Sequence, residues 1–404
     1  MSYEENHLAF AQAALGAEVT LITSTGLVPE WEAGGREFPR GWGVERGVNI
    51  VRLRPRAQAW GRRQLVLRGL GDALSRAAPD VLHLHSATGL LTLQALSWAR
   101  RRRVPVVIDS HLCYFNILPR GLAKLLYYRA LFRYLLLPRF GNVIARYVPL
   151  MPDAESVLHN ELGIPYERMT HSTLGVDTEA FRYRAEDRAR VRERLGIPPD
   201  APVVAFFGRI GFDKRVDTLV AAWGAIARKH EARLLLVGPA PPAVERAMLA
   251  GIDPGLRGMV SVTGRAANAE LPAFMSAADI AVWPGTPGIA MLEAMACGLA
   301  IVHTDPYYAA GMEAPPNAEV FLPGDTPALA DRLDALLSDA DRLAQMRAQS
   351  RRLAEQVYDW RVVAARTNAV YAEALSGKPS ALPPLWKRPS GDGRSLPPPP
   401  RRRA

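Results

Sequence analysis

The chain has 404 residues, 50 Lys and Arg against 40 Asp and Glu, a formal net charge of +10 and 49% apolar residues. That length exceeds what one hydrophobic core usually supports, so two domains are expected, and the apolar content excludes a wholly disordered chain. Two cysteines, Cys113 and Cys297, exclude a disulfide framework or a cysteine–zinc cluster and point to a reducing, cytoplasmic compartment.

The opening MSYEENHLAF has neither the basic segment nor the apolar core of a signal peptide. It reads as the end of a turn, followed by a helix over 8–15 and a strand over 19–23. A doubly wound domain normally opens with a strand that sits mid-sheet. That strand is therefore expected to be missing, with the polypeptide beginning downstream of its natural start; a sheet reorganised around the loss is the alternative. Further strands are expected over 48–53, 81–85, 104–110 and 142–148, and a strand-like stretch over 169–174. A second series covers 203–208, 233–238, 260–264, 280–285 and 300–304. Many of these runs are continuously apolar, as in parallel strands buried on both faces. Two α/β series in succession imply two doubly wound, Rossmann-like domains, over 1–175 and 176–358.

A helix over 359–376 follows, then a tail over 377–404 with seven basic residues, one acid and eight prolines. The tail is expected to be disordered and polyproline-rich, and its charge suits anionic lipid. No basic–aromatic interleaving accompanies it, so nucleic acid is not expected as a partner. No stretch is apolar and charge-free enough to span a bilayer; 125–137 carries Arg129 and Arg133.

The strongest chemical signal is Phe206-Phe207-Gly208-Arg209-Ile210 followed by Lys214. A buried strand ends in glycine, and two cations follow in the turn before a helix. Anions bind outside the carboxyl ends of parallel strands. Arg209 presents a planar fork and Lys214 a mobile point charge, together suited to a diphosphate. The second signal runs from Gly264 to Cys297, where strand 280–283 enters a Pro/Gly turn and a helix from about Ile289. Free amides at the helix start offer a second phosphate cradle, and Glu293 one turn in suits ribose hydroxyls.

These segments, GRI…KRVDTL, LLLVG, TGR…ELPAFMSAADIAVWPG and LEAMACGLAIV, in this order, resemble the retaining GT-B glycosyltransferases of family 4 over about 3–375. The resemblance implies an α/β fold of two Rossmann-like domains facing across a cleft. It implies transfer of a sugar from a nucleotide-sugar donor to a glycan or lipid-linked acceptor in polysaccharide or glycoconjugate synthesis. It assigns the donor phosphates to Arg209, Lys214 and the Gly288 and Ile289 amides, the ribose to Glu293, and Gly264 to the donor site. It places His111, just after strand 104–110, beside the transferred sugar as an orienting group. Glu4 and Glu5 fall on the acceptor side. The leaving phosphate takes the acceptor's proton, and no metal or other cofactor is needed. The chain departs from the family at Gly285, where the first of two glutamates usually stands; Thr286 or a backbone group is the expected substitute. Two other readings stay open: a nucleotide-sugar 2-epimerase of the same fold, and a non-catalytic sugar-nucleotide-binding relative.

Three further segments complete the reading. His83 and His85 share a strand face, but with no third ligand nearby in sequence they read as packing rather than metal ligands. Asp339-Ala340-Asp341 resembles a metal-binding DxD string, yet lies among helix formers and reads as a helix N-cap. The segment 121–138 is apolar, aromatic and basic, and reads either as a helix packed on the sheet or as one lying peripherally on the inner face of the plasma membrane.

Overall fold

A computed structural model describes residues 4–25, 40–59, 64–114, 116–119, 121–304, 316–378 and 382–386. The chain forms two compact units: one is Gly175–Val362, and the other joins Ser2–Leu174 to the chain from Val363 onward.

The N-terminal unit contains β1 (Thr20–Ser24), β2 (Gly41–Glu45), β3 (Val48–Leu53), a hairpin of β4 (Pro55–Ala59) and β5 (Gln64–Leu67), then β6 (Leu82–Leu84), β7 (Val106–Ser110) and β8 (Ile144–Pro149). Among the described residues they form two three-stranded sheets, β1-β3-β2 and β6-β7-β8, beside the hairpin. In the second sheet all strands are parallel. Val106–Ser110 is buried at every position, which explains its unbroken apolar run. Strands β1 and β6 are only half-buried, yet Ile22 of one and Leu82 and Leu84 of the other pack on one cluster of Leu67, Leu70, Leu74 and Ala95. The strands β2 and β4 escape a sequence reading because they carry few apolar residues, and β5, though apolar, has only four residues; Gly41–Glu45 is almost wholly exposed. The strand-like 169–174 forms no strand and makes one bridge, Met169 to Tyr147.

From Val363 onward the helix Trp360–Ser376 belongs to this N-terminal unit, where Val370 packs with Val107, Val148 and Leu150. Part of the segment expected to be disordered is ordered too. Leu382 joins the same cluster, and the Trp386 ring stacks on His171 with centroids 3.9 Å apart. Trp386 Nε1 donates to Glu155 Oε2 at 2.7 Å, and the Leu385 amide donates to His171 Nδ1 at 3.2 Å. Composition missed this because two large apolar groups among many prolines suffice once a tertiary groove exists to receive them. Residues 387–404, with the basic run, lie outside the described residues.

The second unit holds one six-stranded sheet of β9 (Val203–Phe207), β10 (Arg233–Val237), β11 (Val260–Gly264), β12 (Ile280–Trp283), β13 (Ala300–Thr304) and β14 (Ala318–Phe321). Its order is β11-β10-β9-β12-β13-β14 and every pair is parallel, the doubly wound arrangement with its reversal point beside β9. Below the strands lies a buried charge cluster. Asp279 accepts from Arg188 Nη2 at 2.9 Å, Arg192 Nη2 at 3.1 Å, Arg347 Nη1 at 3.2 Å and the Val203 amide at 2.9 Å. No described helix in either unit is long and apolar enough to cross a membrane.

Candidate functional site

In the second unit the carboxyl ends of three adjacent strands are joined by glycines. The Gly208 amide donates to Val237 O at 3.0 Å, and the Gly238 amide to Gly264 O at 2.9 Å. Gly238 has φ +146°, and a Cβ there would fall 1.8 Å from Gly208 O, so no larger residue fits. Chain and strand ends therefore approach closely where a ligand of a parallel sheet binds.

The turn after Gly208 carries both expected cations. Arg209 is exposed and its Nη2 donates to Asp213 at 3.0 and 3.1 Å. Lys214 is half-buried; its Nζ lies 3.9 Å from the same carboxylate and donates to Thr286 O at 2.8 Å. Burial lowers the Lys214 pKa, Asp213 opposes that, and Arg209 adds to it. The two cations thus converge on one carboxylate, and Asp213 marks the position of an anion. The sequence reading passed over Asp213; its place between the two cations, four residues after Arg209, was the available signal.

The loop after β12 is bound to this turn, since the Thr286 amide donates to Asp213 O at 3.4 Å. A Cβ on Gly285 would lie 2.4 Å from Asp213 O and 2.7 Å from Lys214 C. The place where the resemblance leads one to expect a glutamate is therefore filled by the backbone of Asp213 and Lys214. Gly285→Ala, and more so Gly285→Glu, is expected to push this turn outward. Thermal unfolding should show a loss of about 1–3 kcal/mol, with weaker nucleotide binding.

The helix beyond, Ala290–Ala296, has only seven residues, a short source of dipole. Gly288 and Ile289 precede it, and their amides donate to no backbone carbonyl among the described residues. Glu293 is 5% exposed, its side chain makes no hydrogen bond among the described residues, and burial raises its pKa to about 7. An acid whose pKa is raised by folding binds more protons when folded. Its contribution to stability is therefore lost as pH rises from about its ordinary 4.5 to about 7, and is level above that. Thermal midpoints measured across this range should slope downward in the native chain and flatten in Glu293→Gln. Hydroxyl donors favour the charged carboxylate, so nucleotide affinity should rise over the same window.

The N-terminal unit carries a second polar group of residues. His111 directly follows β7 and is one-third exposed, with Nε2 4.0 Å from Asp109 Oδ1. The β6–β7 register pairs His83 with Val107 and Leu84 with Ile108, which sets His85 opposite Asp109. His85 Nδ1 lies 2.6 Å from Asp109 Oδ2, His83 Nε2 lies 3.2 Å from the same oxygen, and Tyr371 Oη is 2.7 Å from His83 Nδ1. Burial favours a neutral Asp109, but His85 and His83 outweigh it and hold the pKa well below the carboxylate range. Burial, then His85, lowers the pKa of His83. The histidine pair therefore has a third ligating group after all, supplied by strand pairing rather than by sequence proximity. Glu4 and Glu5 open the helix Glu4–Ala14, and their side chains lie outside the described residues. Asp339 caps the helix Ala340–Leu353 by accepting from the Arg342 amide at 2.9 Å.

Two family descriptions match the chain: a glycosyl transferase 4-like domain over residues 6–175, and glycosyl transferases group 1 over residues 201–339. The D-inositol 3-phosphate glycosyltransferase of Xylanimonas cellulosilytica is 32% identical over 217 residues, 51% of this chain and 51% of that protein. Sulfoquinovosyl transferase SQD2 of Arabidopsis thaliana is 26% identical over 388 residues, 89% of this chain and 68% of that protein. The chain spans about half the length of the curated D-inositol 3-phosphate glycosyltransferases it matches. Anabaena Alr3699/HepE, solved with UDP and glucose, has the same fold with a TM-score of 0.64 at 18% identity, covering 92% of this chain and 96% of that one. With its α/β GT-B fold and both halves matched in order, this chain belongs to the group 1 glycosyl transferases of family 4.

Proposed function

We propose that the chain moves a sugar from a nucleotide-sugar donor to a glycan or lipid-linked acceptor, with retention at the anomeric carbon, in glycoconjugate synthesis. The convergence of Arg209 and Lys214 on the single carboxylate of Asp213, beside glycine-lined strand ends, carries this reading. A donor diphosphate takes the place of Asp213 between the two cations, and the Gly288 and Ile289 amides add donors. The buried carboxylate of Glu293 accepts from the ribose. The bond from the anomeric carbon to the phosphate oxygen breaks, and the acceptor oxygen bonds that carbon on the same face. The acceptor's proton passes to the departing phosphate. Arg209 and Lys214 then meet charge that grows as the bond breaks, which favours the transition state over the ground state. His111 orients the transferred sugar from the N-terminal unit. The fold-mate HepE holding UDP and glucose, and a sulfoquinovosyl transferase among the relatives, support a nucleotide-sugar donor. These steps need no metal.

The test is a screen of nucleotide sugars by thermal shift, followed by product analysis with glycan and lipid-linked acceptors. Nucleotide release only when acceptor is present supports transfer. Conversion of the donor alone identifies a 2-epimerase, and binding without release identifies a non-catalytic relative.

We also infer that the chain works peripherally on the cytoplasmic face of a membrane. The wide-turn helix Leu125–Leu136 and the turn before it expose Leu122, Leu125, Leu126, Leu131, Tyr134 and Leu135. Lys124 and Arg129 are paired with the buried Glu161, at 2.7 and 3.2 Å, so Arg133 and Arg139 are the basic residues of this segment that the pairing leaves to complement anionic lipid. In vesicle sedimentation the chain should bind phosphatidylglycerol-containing vesicles and not pure phosphatidylcholine. The double change Leu122→Asp, Leu126→Asp should abolish binding; undiminished binding by that variant would overturn the inference.

A further inference from the structure

We propose that His83, His85 and Asp109 form a binding site for one divalent transition-metal ion of the zinc class, within the N-terminal unit and separate from the chemistry of sugar transfer. The ligating atoms of these three residues all lie within 4.8 Å of one another. Two independent features of the unfilled group point to a missing cation. His83 Nε2 and Asp109 Oδ1 are both buried, and neither makes a hydrogen bond among the described residues. Asp109 is 1% exposed, so solvent does not serve its free oxygen.

The surroundings fix these atoms in place. Tyr371 Oη, 2.7 Å from His83 Nδ1, holds the ring so that Nε2 faces Asp109 at 3.2 Å. A hydrogen-bonded partner on the far ring nitrogen is the usual support of a ligating histidine. Two ligands, each about 2.1 Å from a tetrahedral ion, stand about 3.4 Å apart, close to the spacing found here. Two imidazoles and a carboxylate suit zinc, cobalt or nickel rather than magnesium or calcium, which prefer all-oxygen shells. On binding, the ion takes a lone pair from each imidazole and from the Asp109 carboxylate, the proton between His85 and Asp109 shifts to the other ring nitrogen, and water completes the shell.

The test uses the full chain after dialysis against a chelator, titrated with ZnCl2 and, separately, with CoCl2. One equivalent should bind, with visible d–d bands for cobalt. His83→Ala and His85→Ala should each weaken binding by at least about tenfold, and Tyr371→Phe, a positioning change, by about tenfold. His83→Asn serves as a second, size-conserving variant, and circular dichroism without metal verifies that each variant is folded. Absence of stoichiometric binding, or wild-type affinity in folded His83 and His85 variants, would sink the proposal. None of these readouts depends on sugar transfer, so the two readings fail separately.

Discussion

Arg209→Ala is expected to lower turnover by about 10²–10³-fold while leaving the fold intact, the range seen when one preorganised donor to a developing charge is removed. Arg209 is exposed and pairs only with Asp213 in the turn, so its loss costs little stability. In the proposed transfer its value appears when the diphosphate departs and negative charge concentrates on the phosphate oxygens. A guanidinium meets two oxygens at once, whereas an ammonium meets one. Arg209→Lys should therefore recover only part of the activity. Lys214→Ala should cost a similar factor in turnover and some stability as well, because Nζ also ties the turn to Thr286 O. Single-turnover rates at saturating donor measure both effects. Near-native rates in Arg209→Ala would remove the cations from the chemistry.

The largest stability effect is expected at Asp279. Its carboxylate is 6% exposed and is shared by Arg188, Arg192 and Arg347, with the Val203 amide as fourth donor. Asp279→Asn keeps the size but removes the charge that three guanidinium groups surround. Breaking a buried pair in this way costs about 3–5 kcal/mol, because the partners keep their desolvation penalty and lose its compensation. Arg192, itself 2% exposed, keeps the Ala277, Pro198, Pro199 and Ala201 carbonyls as acceptors but loses its only carboxylate among the described residues. A urea titration should show a matching loss in the unfolding transition of the Gly175–Val362 unit. Unfolding unchanged within about 0.5 kcal/mol would mean that the arginines find other acceptors.

The Gly285 position links both halves of the donor chemistry. Backbone atoms of Asp213 and Lys214 occupy the space a side chain would need, so this turn has no room for the glutamate that the resemblance implies at position 285.

The amino-acid sequence by itself determined the α/β class, the parallel sheets, the positions along the chain of five of the second unit's strands, and the types of residue offered to a diphosphate. These are local properties: unbroken apolar runs report strands covered on both faces, and glycine followed by fixed cations reports a strand end before a helix. Only the tertiary structure decided what depends on partners distant in the chain. It brought Asp109 beside His83 and His85 through the β6–β7 register and set Tyr371 behind them. It seated Trp386 on His171 across 215 positions of sequence. It also placed the Asp213–Lys214 backbone against Gly285 and left Glu293 buried without a partner. Burial and proximity arise from packing, and packing sums contacts that no window of sequence contains.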